Sequence, residues 1–233
     1  MANILMVVSA ADSLTMRDGT KHPTGYWAEE LVVSHQTLLD AGHTVHIATP
    51  AGARPTVDEV SLAPESAGGQ DRADGFRAYL AAIDGELSAP LVLADVDPSA
   101  YDAVVMPGGH GPMADLYKDA NLGRILAEAD RAGKVIAPFC HGPAGLLSAV
   151  DDDGTFVFAG RRLTVFTDEE ELNGGTDPNT PWFVEDVLKD KGAIVENGAA
   201  WSSNVVRDRN LITGQNPQSS EDVAKEVIKA LGE

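Results

Sequence analysis

Cysteine occurs once in the 233-residue chain, at position 140, so no internal disulfide can form. A reducing compartment is the natural setting for such a lone thiol. Basic residues are scarce: 17 Lys and Arg stand against 36 Asp and Glu, a net charge of −19. A field of that sign repels phosphate backbones and anionic lipid, so neither nucleic acid nor a membrane surface is an expected partner. Long apolar runs are also missing. The run Ile4–Val8 is too short to span a bilayer, and Met1-Ala2-Asn3 before it lacks the positive charge of a secretory leader; the expected location is cytoplasmic. No metal-ligand spacing is visible. His22 and His35 stand alone, His43 and His46 flank a strand, and Asp151-Asp152-Asp153-Gly154 lacks the downstream glutamate of a calcium loop. No repeat and no linker divides the chain, which reads as one domain over residues 1–233.

What is present is a core-forming composition, 43% hydrophobic and 23% charged, which argues against disorder. Short apolar runs alternate with longer amphipathic segments. Strands are expected at 4–9, 44–49, 102–106, 134–139, 162–166, 193–195 and 211–213. Helices are expected at 24–41, 121–132, 143–150, 181–191 and 219–231. Residues 50–98 read as an excursion with one helix near 72–87, and 168–180 as a polar loop. Strand–helix alternation predicts a mostly parallel α/β sheet covered by helices on both faces, with its site at the carboxyl ends of the strands.

Three segments carry chemistry. In Val135-Ile136-Ala137-Pro138-Phe139-Cys140-His141-Gly142-Pro143-Ala144 a buried strand runs straight into a helix with Cys140 at the corner. That is the pattern of a nucleophile elbow with Cys in place of Ser, and amides at a helix start favour thiolate. In Val104-Val105-Met106-Pro107-Gly108-Gly109-His110-Gly111 a second strand ends in a glycine-rich corner. The backbone amides of Gly109 and His141 are candidates to face a substrate oxyanion, with His110 beside them. A dinucleotide fingerprint is rejected there, because Asp130, about 20 residues on, falls in a helix rather than at a strand end. In the first helix, Glu30 lies near the buried face defined by Trp27 and Leu31, where a carboxyl can have a raised pKa and work as an acid–base group.

Together these segments resemble the DJ-one/ThiJ/PfpI superfamily. The markers are Thr24-Gly25-Tyr26-Trp27-Ala28-Glu29-Glu30, Met106-Pro107-Gly108-Gly109-His110-Gly111, Phe139-Cys140-His141-Gly142-Pro143-Ala144, Phe166-Thr167-Asp168-Glu169-Glu170-Glu171 and Leu211-Ile212-Thr213-Gly214-Gln215-Asn216-Pro217. The Cys-His-Gly-Pro segment is most similar to the glyoxalase III branch, which also contains heat-shock chaperones. The resemblance implies a flavodoxin-like sandwich, a homodimer, no metal and no cofactor. It implies conversion of methylglyoxal to D-lactate without glutathione by Cys140, His141 and Glu30. It also points to Glu171 as the partner of His141, although Asp168, Glu169, Glu170 and Glu171 all remain open on the sequence. A chaperone, a redox sensor, a peptidase or an amidase of the same superfamily are the competing readings. A class I glutamine amidotransferase is disfavoured, since no His-Pro-Glu follows the elbow.

Overall fold

The computed structural model describes residues 1–151, 153–174, 176 and 179–232. Strand β1 (Asn3–Val7) leads into a hairpin of β2 (Ser13–Thr15) and β3 (Lys21–Pro23), then α1 (Ala28–Asp40) and β4 (Thr44–Thr49). The excursion holds α2 (Pro64–Ala67), α3 (Gln70–Ala82) and α4 (Asp84–Ser88) before β5 (Leu91–Val92). Next come β6 (Ala103–Met106), α5 (Ala120–Arg131) and β7 (Val135–Pro138). The remainder is β8 (Arg162–Leu163), α6 (Asp168–Gly174), α7 (Val184–Asp190), β9 (Ile194–Val195), β10 (Val205–Asp208), β11 (Leu211–Gly214) and α8 (Ser220–Ala230).

Seven strands form the central sheet in the order β10-β11-β7-β6-β1-β4-β5. All neighbours are parallel except β10, which runs antiparallel to β11 at the edge. Alternate residues of β1 face opposite sides, and both sides are buried. Leu5 and Val7 join a core with Val104, Met106 and Ile136 beneath Leu122, Ile125 and Leu126 of α5. Ile4 and Met6 join the other core, beneath Leu31 and Leu38 of α1 and Val223 and Val227 of α8. This is the three-layer flavodoxin-like α/β sandwich. Among the described residues no helix is long and apolar enough to cross a membrane.

Several expected boundaries are corrected. The first helix begins at Ala28 rather than 24, because the backbone of Tyr26 is paired sideways with Thr56 and Asp58. The single helix near 72–87 is broken at Ile83 into α3 and α4. The helix after the elbow is a 3-10 stretch, Gly142–Ser148. The strand at 162–166 is only β8, which pairs with β9 in a separate two-stranded sheet, and the helix expected from 181 starts at Val184. Residues 168–174 are α6 and not loop. Thr167 and Glu170 make a reciprocal capping box, each backbone N–H donating to the other's side chain at 3.0 Å, and four acids sit at the positive helix start. Residues 175, 177 and 178 of the expected loop, and Asp152 of the acidic turn, lie outside the described residues.

The ends of β6 and β7 are packed backbone to backbone. A Cβ at Gly142 would lie 2.2 Å from the carbonyl oxygen of Met106, with no flexible group to yield. Gly142→Ala is therefore expected to cost at least about 2 kcal/mol of stability in denaturant titration. Gly75→Ala, in the interior of α3 with open space around it, is expected to add about 0.5–1 kcal/mol. Equal effects of the two would contradict this packing.

Candidate active site

Cys140 follows β7 and has φ of 56°, a left-handed conformation that a residue with a Cβ adopts only under constraint. The constraint is visible. Its amide donates to Gly214 O at 2.9 Å, its carbonyl accepts from Phe166 N at 3.0 Å, and Gly142 N closes the turn on Phe139 O at 2.8 Å. The corner turns the sulfur toward the glycine-rich end of β6. There the backbone N–H of Gly109 favours the thiolate, against the larger effects of burial and Glu30, while the amide of His141 enters no hydrogen bond among the described residues.

Glu30 arrives from the first turn of α1. That helix start is positioned by the excursion: Ser61 Oγ accepts from Ala28 N at 2.9 Å, and Trp27 N donates to Gly108 O at 3.1 Å. Glu30 has no exposed surface, and Oε2 accepts from Gly108 N at 2.5 Å. Among the described residues Oε1 has no well-formed hydrogen bond, and the Cys140 thiol is the side chain that favours its ionised form. Burial raises its pKa to about 8, against the lowering contributions of Cys140 and Gly108. Its neighbour Glu29 instead pairs with Arg72 at 2.6 Å on the outside of the helix.

The four acids of α6 have four different surroundings. Glu171 Oε2 lies 2.7 Å from His141 Nε2, and Oε1 lies 3.0 Å from His110 Nε2. Thr176 N, Thr176 Oγ1 and Thr180 Oγ1 also donate to Oε1. Burial alone would raise this carboxyl, but the hydrogen bonds from the two histidines outweigh it and hold Glu171 well below the usual range. Glu170 is buried and accepts from Trp201 N, Asn216 Nδ2 and Thr167 N. Asp168 faces Glu185 and Asp186, and Glu169 is exposed. Glu171 is therefore the acid that meets His141. The other imidazole nitrogen, Nδ1, lies 3.4 Å from Cys140 Sγ. If Nε2 carries the proton given to Glu171, Nδ1 is left as an acceptor facing the thiol. Burial, and next the proximity of His110 with ring centroids 4.2 Å apart, lower the His141 pKa, so it rests neutral.

Two expectations change. The thiol is not acidified by its helix start: burial, then the charge of Glu30, push Cys140 well above an ordinary thiol, and the short 3-10 turn supplies little opposing field. The proton must leave to a base, and His141 Nδ1 is placed to take it. His110 also makes its polar contact with Glu171, through Nε2. Its expected position beside the oxyanion amides holds only in that it lines the same cavity. A cluster of metal-ligand type, invisible in the sequence because its members come from three separate segments, is formed by His110, His141 and Glu171, whose ligand atoms lie within 4.8 Å. Both histidine nitrogens and both carboxylate oxygens are already engaged with one another, so the cluster is a closed hydrogen-bond network. The cavity above Cys140 is small, about 50 Å³, and is lined by Trp27, Gly109, His110, Cys140, His141, Phe166, Gly174, Trp201 and Pro217. A wider recess of about 460 Å³, between residues 54–62 and 77–87, is lined by Arg54, Arg77, Glu59 and Asp84 and lies apart from Cys140.

An α/β sandwich that brings together a cysteine at a strand-end elbow, a buried carboxyl and a histidine–carboxylate pair defines the fold class and the candidate site. The chain belongs to the DJ-1/PfpI family, whose model matches residues 22–230. It is 31% identical over 241 residues to the protein/nucleic acid deglycase HchA of Pseudomonas aeruginosa, covering 98% of this chain and 80% of that protein. It is 27% identical over 236 residues to Glyoxalase 3 of Candida albicans, covering 99% and 98%. The crystal structure of glyoxalase III from Candida albicans superposes with a TM-score of 0.83 at 26% identity, covering 98% of this chain and 97% of that one.

The raised pKa of Glu30 has a sign that can be tested. Its folded value of about 8 exceeds the ordinary 4.5, so folding favours the protonated form. That contribution is full below 4.5 and is lost as pH rises through 8. Glu30→Gln is expected to gain stability relative to wild type as pH goes from 5 to 8, read from thermal melts. A constant or shrinking difference would contradict the burial argument.

Proposed function

We propose that the protein is a glutathione-independent glyoxalase that converts methylglyoxal, or a related small 2-oxoaldehyde, to the 2-hydroxyacid. The observation that carries this reading is the meeting of the Cys140 thiol, which lines a small cavity, with the carboxyl of Glu30 buried behind it and poised near neutral pH. A carboxyl tuned to that range can both take and give a proton. The family membership and the glyoxalase relatives support the same chemistry.

The sequence of steps follows from these groups. Cys140 sulfur attacks the aldehyde carbon, and the thiol proton passes to His141 Nδ1, whose imidazolium is stabilised by Glu171. The developing oxyanion meets the amides of Gly109 and His141 and takes the proton back from the His141 imidazolium, giving a hemithioacetal and a neutral His141. Glu30 in its carboxylate form removes the hydrogen from that carbon, giving an enediol, and returns a proton to the adjacent carbon. The hydroxyl proton of the sulfur-bearing carbon passes to the neighbouring oxygen as the carbonyl re-forms at the sulfur-bearing carbon, so the product is a thioester of the 2-hydroxyacid. Water, deprotonated by neutral His141, hydrolyses it and releases the acid and the thiol. One carbon is oxidised and its neighbour reduced, so the balance closes without an external oxidant, reductant or cofactor. A deglycase activity, as named for the Pseudomonas relative, would use the same thiol; the confined cavity favours the free aldehyde.

Purified protein is expected to release D-lactate from methylglyoxal without glutathione, and Cys140→Ser to release none. Absence of turnover by the wild type would refute the reading. Glu30→Gln is expected to lower turnover roughly 100-fold or more, and Glu29→Gln to stay near wild type. Equal activity of the two variants would remove Glu30 from the mechanism. Because the carbon-bound hydrogen is taken by the ionised carboxyl, kcat/KM is expected to rise with pH toward about 8, where Glu30 titrates. A profile that falls between pH 6 and 8 would contradict that assignment. Dialysis against a chelator is expected to leave turnover intact, and a loss that zinc restores would place a metal at His110, His141 and Glu171.

A further inference from the structure

One wall of the Cys140 cavity is an indole that the steps above do not use. Trp201 lies between β9 and β10 and is 43% exposed, so one side of the ring meets solvent while the residue lines the cavity. Its placement is over-determined. The backbone has φ of 61°, and the amide donates to the buried Glu170 carboxylate at 2.7 Å. The ring meets Phe166 edge-on with centroids 5.6 Å apart, and Phe166 in turn lies 4.5 Å from the His141 ring. On α6, Gly174 leaves the space the indole fills: a Cβ there would lie 2.8 Å from indole carbons Cζ2 and Cη2. The indole is thus wedged between α6 and Phe166 at the solvent side of the thiol.

The space left behind it is about 50 Å³. At about 10–15 Å³ per water that is room for a few waters, the scale of a three-carbon oxoaldehyde and not of an aryl ring. We infer that Trp201 sets the size limit of the substrate, admitting 2-oxoaldehydes with a small aliphatic substituent and excluding arylglyoxals and oxoaldehyde adducts carried on a macromolecule. The inference rests on the glyoxalase reading for its substrate class, while the steric claim concerns access to Cys140 alone.

The test uses the full-length protein with Trp201→Ala and Trp201→Phe, and reads two ratios. The first is kcat/KM for phenylglyoxal over methylglyoxal. The second is the rate of Cys140 alkylation by iodoacetanilide over iodoacetamide, two reagents with the same reactive group and different bulk. Taking a ratio cancels any change in thiol reactivity. Wild type is expected to discriminate against the bulky member of each pair. Trp201→Ala is expected to relax both ratios by roughly 10-fold or more, the range set by small steric differences in an apolar pocket, and Trp201→Phe by less. If Trp201→Ala does not fold by its melting curve, Trp201→Phe, which keeps an aromatic edge against Phe166, supplies the ratios. Unchanged alkylation ratios in the folded variants would overturn the size limit. A relaxed alkylation ratio in a protein that turns over neither aldehyde would uphold the size limit and sink the glyoxalase reading instead.

Discussion

Glu30 has no surface in contact with water, and its hydrogen-bonding supply is one backbone N–H, that of Gly108, together with the thiol of Cys140. Removing a carboxylate from water with so little compensation is costly, and the group responds by keeping its proton. Everything around the thiol is arranged on that condition. The glycine corner after β6 must approach closely enough to present its amide; a Cβ at Gly108 would lie 2.6 Å from His141 N and 2.9 Å from Phe139 O. The excursion must place Ser61 against the first turn of α1. The elbow must hold Cys140 in a conformation that costs of order 1–3 kcal/mol in isolation.

The second carboxyl of the site has the opposite surroundings. Glu171 is also buried, but it accepts hydrogen bonds from two histidines and two threonines, and it stays ionised. Two neighbouring carboxyls are thereby driven apart in acidity, one that titrates near neutral pH and the other a fixed anion behind His141. Environments that separate the pKa values of paired titratable groups are what assign acid–base roles in enzymes. The capping box of Thr167 and Glu170 serves the same end, since it sets the register of α6 that turns Glu171 inward and gives Glu170 to the Trp201 loop.

The five inner strands of the sheet were legible because they are short apolar runs, and burial on both faces leaves little freedom of register; the edge strands β5 and β10, short and only partly buried, were not expected. The elbow was legible for a related reason: an apolar strand followed by Cys-His-Gly-Pro permits few conformations. Glu30 could be separated from Glu29 by its spacing from Trp27 and Leu31. The electrostatics were not legible. The low thiol pKa expected from a helix start failed because burial and an opposing carboxyl, both tertiary effects, outweigh a single 3-10 turn. Helix α6 carried a readable signal, Thr-x-x-Glu at 167–170, which the run of acids obscured. Trp201, Gly174 and Ser61 join the site across more than 30 positions of chain, and nothing local marks any of them.

The central physical claim is that Glu30 is a neutral carboxylic acid at pH 7 in the folded protein. Infrared difference spectra between wild type and Glu30→Gln, taken across pH, observe that proton directly. A protonated-carboxyl C=O band present at pH 7 and lost with a midpoint near 8 is the expected result. A difference spectrum that shows only carboxylate at pH 7 would contradict the account at its base.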